Sequence, residues 1–329
     1  MSGHALVVGE ALVDVVRRAG TDPVEHVGGS PLNVAVGLGR LGRAVQFTTR
    51  IADDPRGTRI LGYLADSGVS LTPGSAAADR TATAQAMIDE TGSASYEFDI
   101  AWEPVAPPPT VDAVLVHTGS IATVLGPGCE LVAELVAQQA VSSTVSFDPN
   151  VRPALIGDPA RGRARIDRLV ALADVVKASD EDLGWYAPDR DPVDTARGWL
   201  SRGPAIVAVT RGAKGSVAVC AAGTVEIPAV EADVVDTVGA GDAFTAGLLD
   251  GLWTRNLLGA EKRDALRAIG TDALREVLTT AAWTSALTVA RAGADLPTRA
   301  EREAARESGG RVRRPPSRKT PSQKSPSAT

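Results

Sequence analysis

Residues 234–247 of the chain read Val-Val-Asp-Thr-Val-Gly-Ala-Gly-Asp-Ala-Phe-Thr-Ala-Gly, which places a turn of small residues directly before a stretch of helical periodicity. Glycines in such a turn let the backbone approach a ligand closely. The free N–H groups and the dipole of the helix that follows form a binding site for an anion. Asp242 lies in the first helical turn beside that site. Its carboxylate could accept the proton of a hydroxyl group during phosphoryl transfer, or it could only cap the helix.

A second glycine-rich segment, residues 27–42, reads Val-Gly-Gly-Ser-Pro-Leu-Asn-Val-Ala-Val-Gly-Leu-Gly-Arg-Leu-Gly. Its last six residues match the dinucleotide-binding fingerprint. That fingerprint joins a strand to a helix, whereas these residues lie inside a helical segment. We therefore expect the glycines to allow close packing of helices rather than binding of NAD. The chain also lacks the Gly-x-x-x-x-Gly-Lys-Ser/Thr phosphate loop, which excludes a P-loop kinase.

Short apolar runs alternate with longer segments of helical period along most of the chain. This alternation predicts a parallel sheet covered by helices on both faces. The predicted strands are residues 5–8, 44–48, 113–117, 144–147, 174–177 and 205–210. The predicted helices are residues 32–41, 56–67, 128–140, 161–173, 240–252 and 272–290.

Two stretches interrupt this alternation with the pattern of a β-hairpin. Residues 12–16 and 24–27 flank one polar turn, and residues 81–88 and 95–98 flank another. Strand-like runs on either side of a short polar turn indicate antiparallel pairs. The two hairpins predict a small β-rich lid inserted into the α/β body.

The composition is that of a globular protein with an unevenly placed charge. The 329 residues are 44% hydrophobic, and no apolar run approaches a membrane span. Residues 311–329 hold six basic and no acidic residues, so the rest of the chain carries a net charge of −12. An acidic body argues against nucleic acid as a partner. Two cysteines and an N-terminus without signal-peptide features predict a reducing, cytoplasmic setting.

Both glycine-rich segments resemble the two signatures of the ribokinase-like (PfkB-type) carbohydrate kinases, in the order and separation usual for that family. The similarity extends over about residues 4–300 and is greatest to fructokinase-like members. It implies a doubly wound, mainly parallel sheet with a β-lid that closes over a sugar, with ATP as phosphoryl donor and Mg²⁺ as required ion. We accordingly predict a kinase domain over residues 1–303, lid segments at about 11–28 and 80–103, and a disordered basic, Pro/Ser-rich tail at 304–329.

The resemblance also implies roles for individual residues. The catalytic base would be Asp242, in an anion hole formed by Gly239, Ala240 and Gly241. Contacts to the sugar would come from Asp14, Gly28, Gly29, Asn33, Tyr96, Arg152 and Asp242. Contacts to the nucleotide would come from Ser179, Thr210, Gly212, Gly215, Gly239 and Gly241. Asn33 could instead cap a helix, Asp14 could be an ordinary strand acid, and Arg152 could pair with local carboxylates.

Two ion sites follow from the same resemblance. Similar kinases usually carry Asn-x-x-Glu where this chain reads Ser179-Asp-Glu-Asp182. Asp182 would then hold Mg²⁺ through water, with a shorter reach than glutamate. A monovalent cation, K⁺, would bind near Asp236, Val238 and the loop at residues 291–294.

The lid sequence bears on the choice of substrate. Ketodeoxygluconate-type relatives usually place an arginine two residues after the tyrosine of the second hairpin, but Phe98 follows Tyr96 here, with Asp99 and Glu103 nearby. An acidic neighbourhood disfavours an anionic substrate, so we expect a neutral sugar, fructose first. Ketodeoxygluconate or another carbohydrate is the alternative, and a non-catalytic sugar- or nucleotide-binding regulator is a second one. A homodimer formed through the lid is a further expectation.

Overall fold

The computed structural model describes residues 3–18, 21–88, 94–103 and 113–314. The strands are β1 (His4–Val8), β2 (Leu12–Arg18), β3 (Val24–Gly28), β4 (Val45–Thr48), β5 (Val69–Leu71), β6 (Ala82–Ile88), β7 (Ala94–Asp99), β8 (Ala113–Gly119), β9 (Thr144–Asp148), β10 (Val175–Ser179), β11 (Ile206–Thr210), β12 (Ser216–Cys220) and β13 (Gly223–Ile227). The helices are α1 (Ser30–Arg40), α2 (Pro55–Asp66), α3 (Gly128–Gln139), α4 (Pro159–Leu172), α5 (Asp180–Tyr186), α6 (Pro192–Leu200), α7 (Ala240–Thr254), α8 (Arg263–Arg267), α9 (Thr271–Val289) and α10 (Arg299–Ser308).

The large sheet has the strand order β13-β12-β11-β10-β9-β8-β1-β4-β5. Its pairs are parallel from β11 through β5, and only β12 and β13 at one edge are antiparallel. The chain builds outward from β1 first to one side, through β4 and β5, and then to the other, from β8 to β11. This order is that of a doubly wound fold and confirms the predicted fold class.

Alternate side chains of the sheet enter two separate hydrophobic cores. In β1, Ala5 and Val7 belong to one core, and Leu6 and Val8 belong to the other. The first core also takes residues from α1, α7 and α9, and the second takes residues from α3, α4 and α6. Because successive strand residues point to opposite faces, a strand buried on both faces is mostly apolar. This explains the largely apolar runs in the sequence.

The lid is a four-stranded sheet of order β3-β2-β6-β7. Both predicted hairpins are present, as the antiparallel pairs β2–β3 and β6–β7, and β2 joins them by pairing parallel to β6. Glu25 of β3 accepts hydrogen bonds from Arg56 and Arg59 of α2 at 2.6–2.9 Å. These charge-assisted bonds connect the lid to the body.

The prediction that glycines in residues 37–42 serve helix packing is confirmed for Gly37. Gly37 lies in α1, where a Cβ atom would stand 2.6 Å from Leu296 Cδ2 and 2.7 Å from the Cβ of Ala246 in α7. Real Cβ atoms essentially never come so close to a neighbour. Glycine at this position therefore lets α1 approach α7, the helix that carries Asp242.

The predicted start of the disordered tail at residue 304 is wrong for residues 304–314. Helix α10 continues to Ser308, and Val312 forms a β-bridge with Ala232. A capping box of Thr298 and Glu301 starts the helix, and the buried Arg302 pairs with Asp250 at 2.7 Å. This helix is held mainly by polar contacts, so its sequence lacks the apolar residues by which a packed helix is usually recognised. Within the described ranges, no helix is long and apolar enough to cross a membrane.

Candidate active site

A cavity of about 570 Å³ lies where five neighbouring strands of the large sheet end. The strands β1, β8, β9, β10 and β11 run parallel, so their carboxyl ends share one edge. The lining residues that follow or end these strands are Glu10, Ser120, Asn150, Asp180 and Thr210. Lid residues, including Asp14 and Phe98, also line the cavity. Ligands of doubly wound proteins bind at this edge, beside the strand where the order reverses.

Asp242 is held at the N-terminus of α7 by partners from α1. The preceding Gly239 has a left-handed backbone with φ 77°, which turns the chain into the helix. Ser30 Oγ donates to Asp242 Oδ1 at 2.6 Å, and Asn33 Nδ2 donates to Oδ2 at 2.7 Å. Asp242 is 8% exposed and lines the cavity. Each carboxylate oxygen retains a lone pair with which to accept a proton.

The pair Gly28-Gly29 lets the lid chain pass close to the body. Gly29 has φ +111°, and a Cβ atom there would stand 2.6 Å from the backbone oxygen of Glu10. A Cβ atom at Gly28 would stand 2.1 Å from Asp14 Oδ2. Gly29 therefore has to be glycine, and a Cβ atom at Gly28 would displace the Asp14 carboxylate, which lies directly over this turn. The buried Asn33 Oδ1 has no hydrogen-bond partner among the described residues, so it can accept from a ligand in the cavity.

Three charged groups mark the lid end of the cavity. Burial raises the pKa of Asp14 to about 6, although His26 and Arg152 lower it. Burial also raises the pKa of Glu10 to about 7, against hydrogen bonds from its own and the Ala122 backbone. Arg152 donates to the backbone oxygens of residues 150 and 151. Within the described ranges it forms no ion pair, so its charge remains available to the two acids or a ligand.

A second cavity, of about 680 Å³, adjoins the first. The two share Thr210, Gly212, Thr237 and Gly241 as lining residues. The second cavity extends between the loop after β11 and helices α7 and α9, and its lining includes Gly215, Ala240, Val234, Phe244, Ala286 and Val289. This mostly apolar wall is suited to a flat aromatic group. The N-terminus of α7 therefore stands between a polar cavity and an apolar one.

Ser179 and Asp182 form the capping box of α5. Ser179 Oγ accepts from the Asp182 amide, and Asp182 Oδ2 accepts from the Ser179 amide at 2.8 Å. Asp182 Oδ1 accepts from the Val151 amide at 2.7 Å, so this carboxylate also fixes the loop after β9. Both residues line the polar cavity, next to Asp180 and Glu181.

Asp236 lies outside both cavities and connects two loops. Its Oδ1 accepts from the Val238 amide at 3.0 Å, and its Oδ2 accepts from the Gly293 amide at 2.9 Å. A Cβ atom at Gly239 would meet Ala294, so the two loops are packed together behind the anion hole. The structure thus brings together the segments predicted to hold a monovalent cation. No cluster of three or more His, Cys, Asp or Glu that could hold a metal occurs in the described ranges.

Two details of the lid differ from the reasoning based on sequence. Asp99 forms an ion pair with Arg80 at 2.6 Å, and neither it nor Glu103 lines the cavity. The acids that line the cavity at its lid end are Glu10 and Asp14, which belong to the body and the first hairpin. Phe98 lines the cavity, while the side chain of Tyr96 is outside the described part of the structure.

Sequence reasoning missed three polar residues of the site: Glu10, Ser30 and Lys177. Ser30 lies within the quoted N-terminal segment, but its partner Asp242 is 212 residues away. Lys177 interrupts the apolar strand Val175–Ser179, and a cation in a strand buried on both faces was an available signal.

Comparison with known proteins agrees with this arrangement. The family described as pfkB family carbohydrate kinase matches residues 3–301. The fructokinase of Rhizobium leguminosarum bv. trifolii is 37% identical over 248 residues, which are 72% of this chain and 76% of that protein. The fructokinase of Klebsiella pneumoniae is 34% identical over 251 residues, 74% and 82% of the two chains.

Solved structures show the same fold with ligands. The fructokinase from Xylella fastidiosa with bound ATP superposes with a TM-score of 0.78 at 26% identity, covering 92% of this chain and 98% of its own. A double mutant of the fructokinase from Vibrio cholerae O395, in a form with bound fructose, ADP and potassium ion, gives a TM-score of 0.74 at 26% identity, with coverages of 92% and 97%.

Proposed function

The chain belongs to the pfkB family of carbohydrate kinases, and we propose that it transfers the γ-phosphoryl group of ATP to a hydroxyl group of fructose. The observation that carries this proposal is the buried Asp242 at the N-terminus of α7, between a polar and an apolar cavity. The polar cavity is of a size for a monosaccharide, and the apolar one for a nucleobase. The similarity to fructokinases favours fructose as the acceptor.

In the proposed reaction, Asp242 accepts the proton of the attacking sugar hydroxyl. The hydroxyl oxygen forms a bond to the γ-phosphorus, while the bond between that phosphorus and the bridging oxygen of ADP breaks. The hydrogen bonds from Ser30 and Asn33 orient the carboxylate toward the cavity. Gly239, Ala240 and Gly241 form the helix N-terminus, where backbone N–H groups would stabilise charge on the transferring group; the Ala240 N–H also donates to the Thr237 oxygen at 3.2 Å.

The sugar is proposed to lie between the lid and the sheet edge. Asp14 and the unpartnered Asn33 Oδ1 would accept from sugar hydroxyls, and Gly28 and Gly29 would let the ring approach the backbone. Arg152 faces the same space and would balance the nearby acids. Tyr96 remains a predicted lid contact, next to Phe98, which lines the cavity.

The nucleotide is proposed to occupy the adjoining cavity. Thr210 and Gly212 line both cavities, Gly215 lines the apolar one and Ser179 the polar one. Mg²⁺, when bound, would supply positive charge that shields the phosphates. Asp182 can contact a metal-bound water because each of its oxygens retains acceptor capacity beyond one amide bond. Asp180 and Glu181 lie on the same wall and add carboxylates, the ligands that suit Mg²⁺.

A monovalent cation, K⁺, is proposed to bind behind the anion hole. Asp236 and the carbonyl groups of Val238 and the loop at residues 291–294 would hold it, and oxygen donors of this kind suit such an ion. The ion would order the loop that presents the anion hole. Rates in KCl should exceed those in tetramethylammonium chloride at equal ionic strength. Equal rates would remove this site from the proposal.

Formation of ADP with a panel of sugars tests the proposed function. Fructose is expected to give the highest kcat/KM, and Asp242→Asn should lower kcat roughly 10²–10⁴-fold because the amide cannot accept the proton. Affinity for ATP should change little, since Asp242 faces the acceptor. A wild-type protein that binds sugar and nucleotide without turnover would instead support the regulator.

Assembly and setting are further parts of the proposal. A homodimer through the lid would cover apolar side chains such as Val24 and Met87, which are 47% and 44% exposed. Light scattering of wild type and Val24→Asp would test it, because the charge should yield monomers. The buried cysteines Cys129 and Cys220 are both free, which agrees with the reducing cytoplasm.

A further inference from the structure

Lys177 is a buried cation in the middle of the parallel sheet. It belongs to β10, between Val176 and Ala178, and is 4% exposed. Its Nζ lies 3.0 Å from Asp148 Oδ2, the oxygen that also accepts from Thr245 Oγ1 at 3.3 Å. Removing a charge from water costs several kcal/mol, and a single ion pair rarely offsets that cost. Lysine at this position therefore calls for an explanation beyond stability.

The ammonium group of Lys177 lies against the anion hole. A Cβ atom at Gly241 would stand 2.8 Å from Lys177 Nζ, so the ammonium contacts the open face of that glycine. The single hydroxyl proton of Thr245 is shared between the Gly241 oxygen at 3.0 Å and Asp148 Oδ2 at 3.3 Å, which ties the first turn of α7 to the same carboxylate. Lys177 and Gly241 both line the polar cavity.

The charges around the cavity give Lys177 a specific place. Among the described lining residues, the acids are Glu10, Asp14, Asp180, Glu181, Asp182 and Asp242, and the only cations are Arg152 and Lys177. Arg152 acts on the two acids at the lid end, Glu10 and Asp14. Lys177 interacts with Asp148, Asp182 and Asp242 at the other end. If Lys177 were neutral, the only charged side chains that a phosphoryl group would meet at that end, among the described lining residues, would be carboxylates.

Lys177 remains charged in this environment. Burial lowers its pKa, but the carboxylates of Asp148, Asp182 and Asp242 together raise the pKa above its ordinary value. Its single hydrogen bond within the described structure, to Asp148, uses one of three N–H donors. Two donors are left for an anion at the N-terminus of α7.

We propose that Lys177 is a catalytic residue that completes the anion hole, its ammonium group contacting an oxygen of the phosphoryl group in flight. Asp148 and Thr245 are positioning residues that hold the ammonium beside Gly241. As the phosphoryl group leaves the bridging oxygen of ADP and joins the sugar oxygen, a fixed cation stabilises the charge on its remaining oxygens. This inference rests on the phosphoryl transfer proposed above.

The test compares Lys177→Met, which keeps the length of the side chain but removes its charge, with Lys177→Arg. Lys177→Met should lower kcat roughly 10²–10³-fold, the usual loss for one anion-hole donor. KM for sugar and ATP should change less than about threefold, because the contact forms only in the transition state. Lys177→Arg should recover part of the loss. Lys262→Met, on the short helical turn Ala260–Lys262 outside both cavities, is the matched control and should behave as wild type.

Two further measurements separate this role from a structural one. The double variant Lys177→Met/Asp148→Asn removes both charges of the pair, so it avoids an unpaired buried carboxylate. It should fold and stay as slow as Lys177→Met; recovery of wild-type kcat would overturn the proposal.

In the second measurement, Lys177→Met should bind ADP as wild type does but bind ADP with aluminium fluoride roughly 10²-fold more weakly. Equal affinities for that complex would also overturn the proposal. This binding measurement needs no turnover, so it remains informative if no sugar is phosphorylated, the result that would contradict the proposed function instead.

Discussion

At the scale of single residues, the site concentrates buried charge in a few side chains. Glu10 shows what this costs. It is 2% exposed, its Oε2 accepts from the Ala122 amide at 3.0 Å, and burial raises its pKa from 4.5 to about 7. A raised pKa means that the folded protein stabilises the protonated form of this carboxyl group relative to the ionised form. The folded protein therefore keeps a proton that the unfolded chain has already released.

Replacing Glu10 by glutamine should change how stability depends on pH. Between pH 4.5 and 7 the folded state binds a proton on Glu10 that the unfolded state does not, so wild-type stability falls as the pH rises through this window. Glutamine keeps the acceptor for Ala122 and cannot ionise. From pH 5 to pH 8, Glu10→Gln should gain about 2–3 kcal/mol of unfolding free energy relative to wild type. Urea titrations at both pH values measure this difference.

The control for this experiment is Glu307→Gln, on the exposed side of α10. Other titrating groups, such as Asp14 and His117, are common to all three proteins and cancel in the comparison. A pH dependence of Glu10→Gln equal to that of wild type would contradict the burial of a proton-binding Glu10.

At the scale of secondary structure, the site depends on how closely α1 approaches α7. The first helix brings Ser30 and Asn33 to Asp242, and Gly37 is the point at which the two helices touch. The glycine-rich segment at residues 27–42 thus has two functions. Ser30 and Asn33 contribute side chains to the site, and Gly37 sets the distance between α1 and α7.

Two glycine substitutions in helices should have opposite effects. Gly37→Ala puts a methyl group 2.6 Å from Leu296 Cδ2, and such overpacking should cost about 1–3 kcal/mol of unfolding free energy. Gly62→Ala, in α2, meets nothing within 4 Å and should add about 0.5–1 kcal/mol by reducing backbone entropy. Gly37→Ala should also lower kcat, since α1 moves with the methyl group. Chemical denaturation and steady-state rates check both; a stabilised Gly37→Ala would refute the packing argument.

The elements differ in how well the sequence predicts them, for physical reasons. The central strands are buried on both faces, so each is an apolar run that can be recognised without its neighbours. Strand β5 has three residues and leaves too short a pattern. Helix α10 has one buried residue, Arg302, and is held by a capping box and an ion pair. Contacts of this kind depend on a partner elsewhere in the chain, which no local pattern reveals.

In the candidate site, too, residues within a local motif could be predicted, whereas residues defined by a distant partner could not. Gly239 and Gly29 were identifiable because their backbone angles demand glycine within a recognisable motif. Lys177 and Glu10 became visible only when the sheet placed them beside residues far away in sequence. Asp182 was predicted from the sequence to hold Mg²⁺ through water, and the structure adds that its Oδ1 accepts a hydrogen bond from the Val151 amide.

At the scale of the whole molecule, the sugar cavity is closed by two parts that approach from different directions. The sheet edge supplies Glu10 and Arg152, and the lid supplies Asp14 and Phe98. Glu25 of the lid is bound to Arg56 and Arg59 of the body, and Val13 and Val15 of β2 belong to the same hydrophobic core as α1 and α7, so ion pairs and apolar packing together hold the lid over the cavity. The composition of the closed cavity, rather than that of the lid alone, therefore decides which sugars fit.

This composition predicts that fructose is preferred over ketodeoxygluconate by at least about tenfold in kcat/KM, which corresponds to about 1.4 kcal/mol. Glu10 and Asp14 line the lid end of the cavity, and an added carboxylate bound there would be desolvated beside them. Among the described residues that line this end of the cavity, Arg152 is the one lysine or arginine, and it already interacts with both acids, while His26 of β3 acts on Asp14 as well. Steady-state rates on both substrates measure the preference.

The variant Arg152→Ala tests whether Arg152 balances the charge of Glu10 and Asp14 or binds a carboxylate of the substrate. If it serves the acids, its loss should lower kcat/KM for both substrates by similar factors and leave their ratio within about threefold of wild type. Arg59→Ala, which removes a cation from the lid contact outside the cavity, controls for a general effect of charge. A wild type that prefers ketodeoxygluconate, with that preference abolished in Arg152→Ala, would show that Arg152 binds a substrate carboxylate and that the neutral-sugar assignment is wrong.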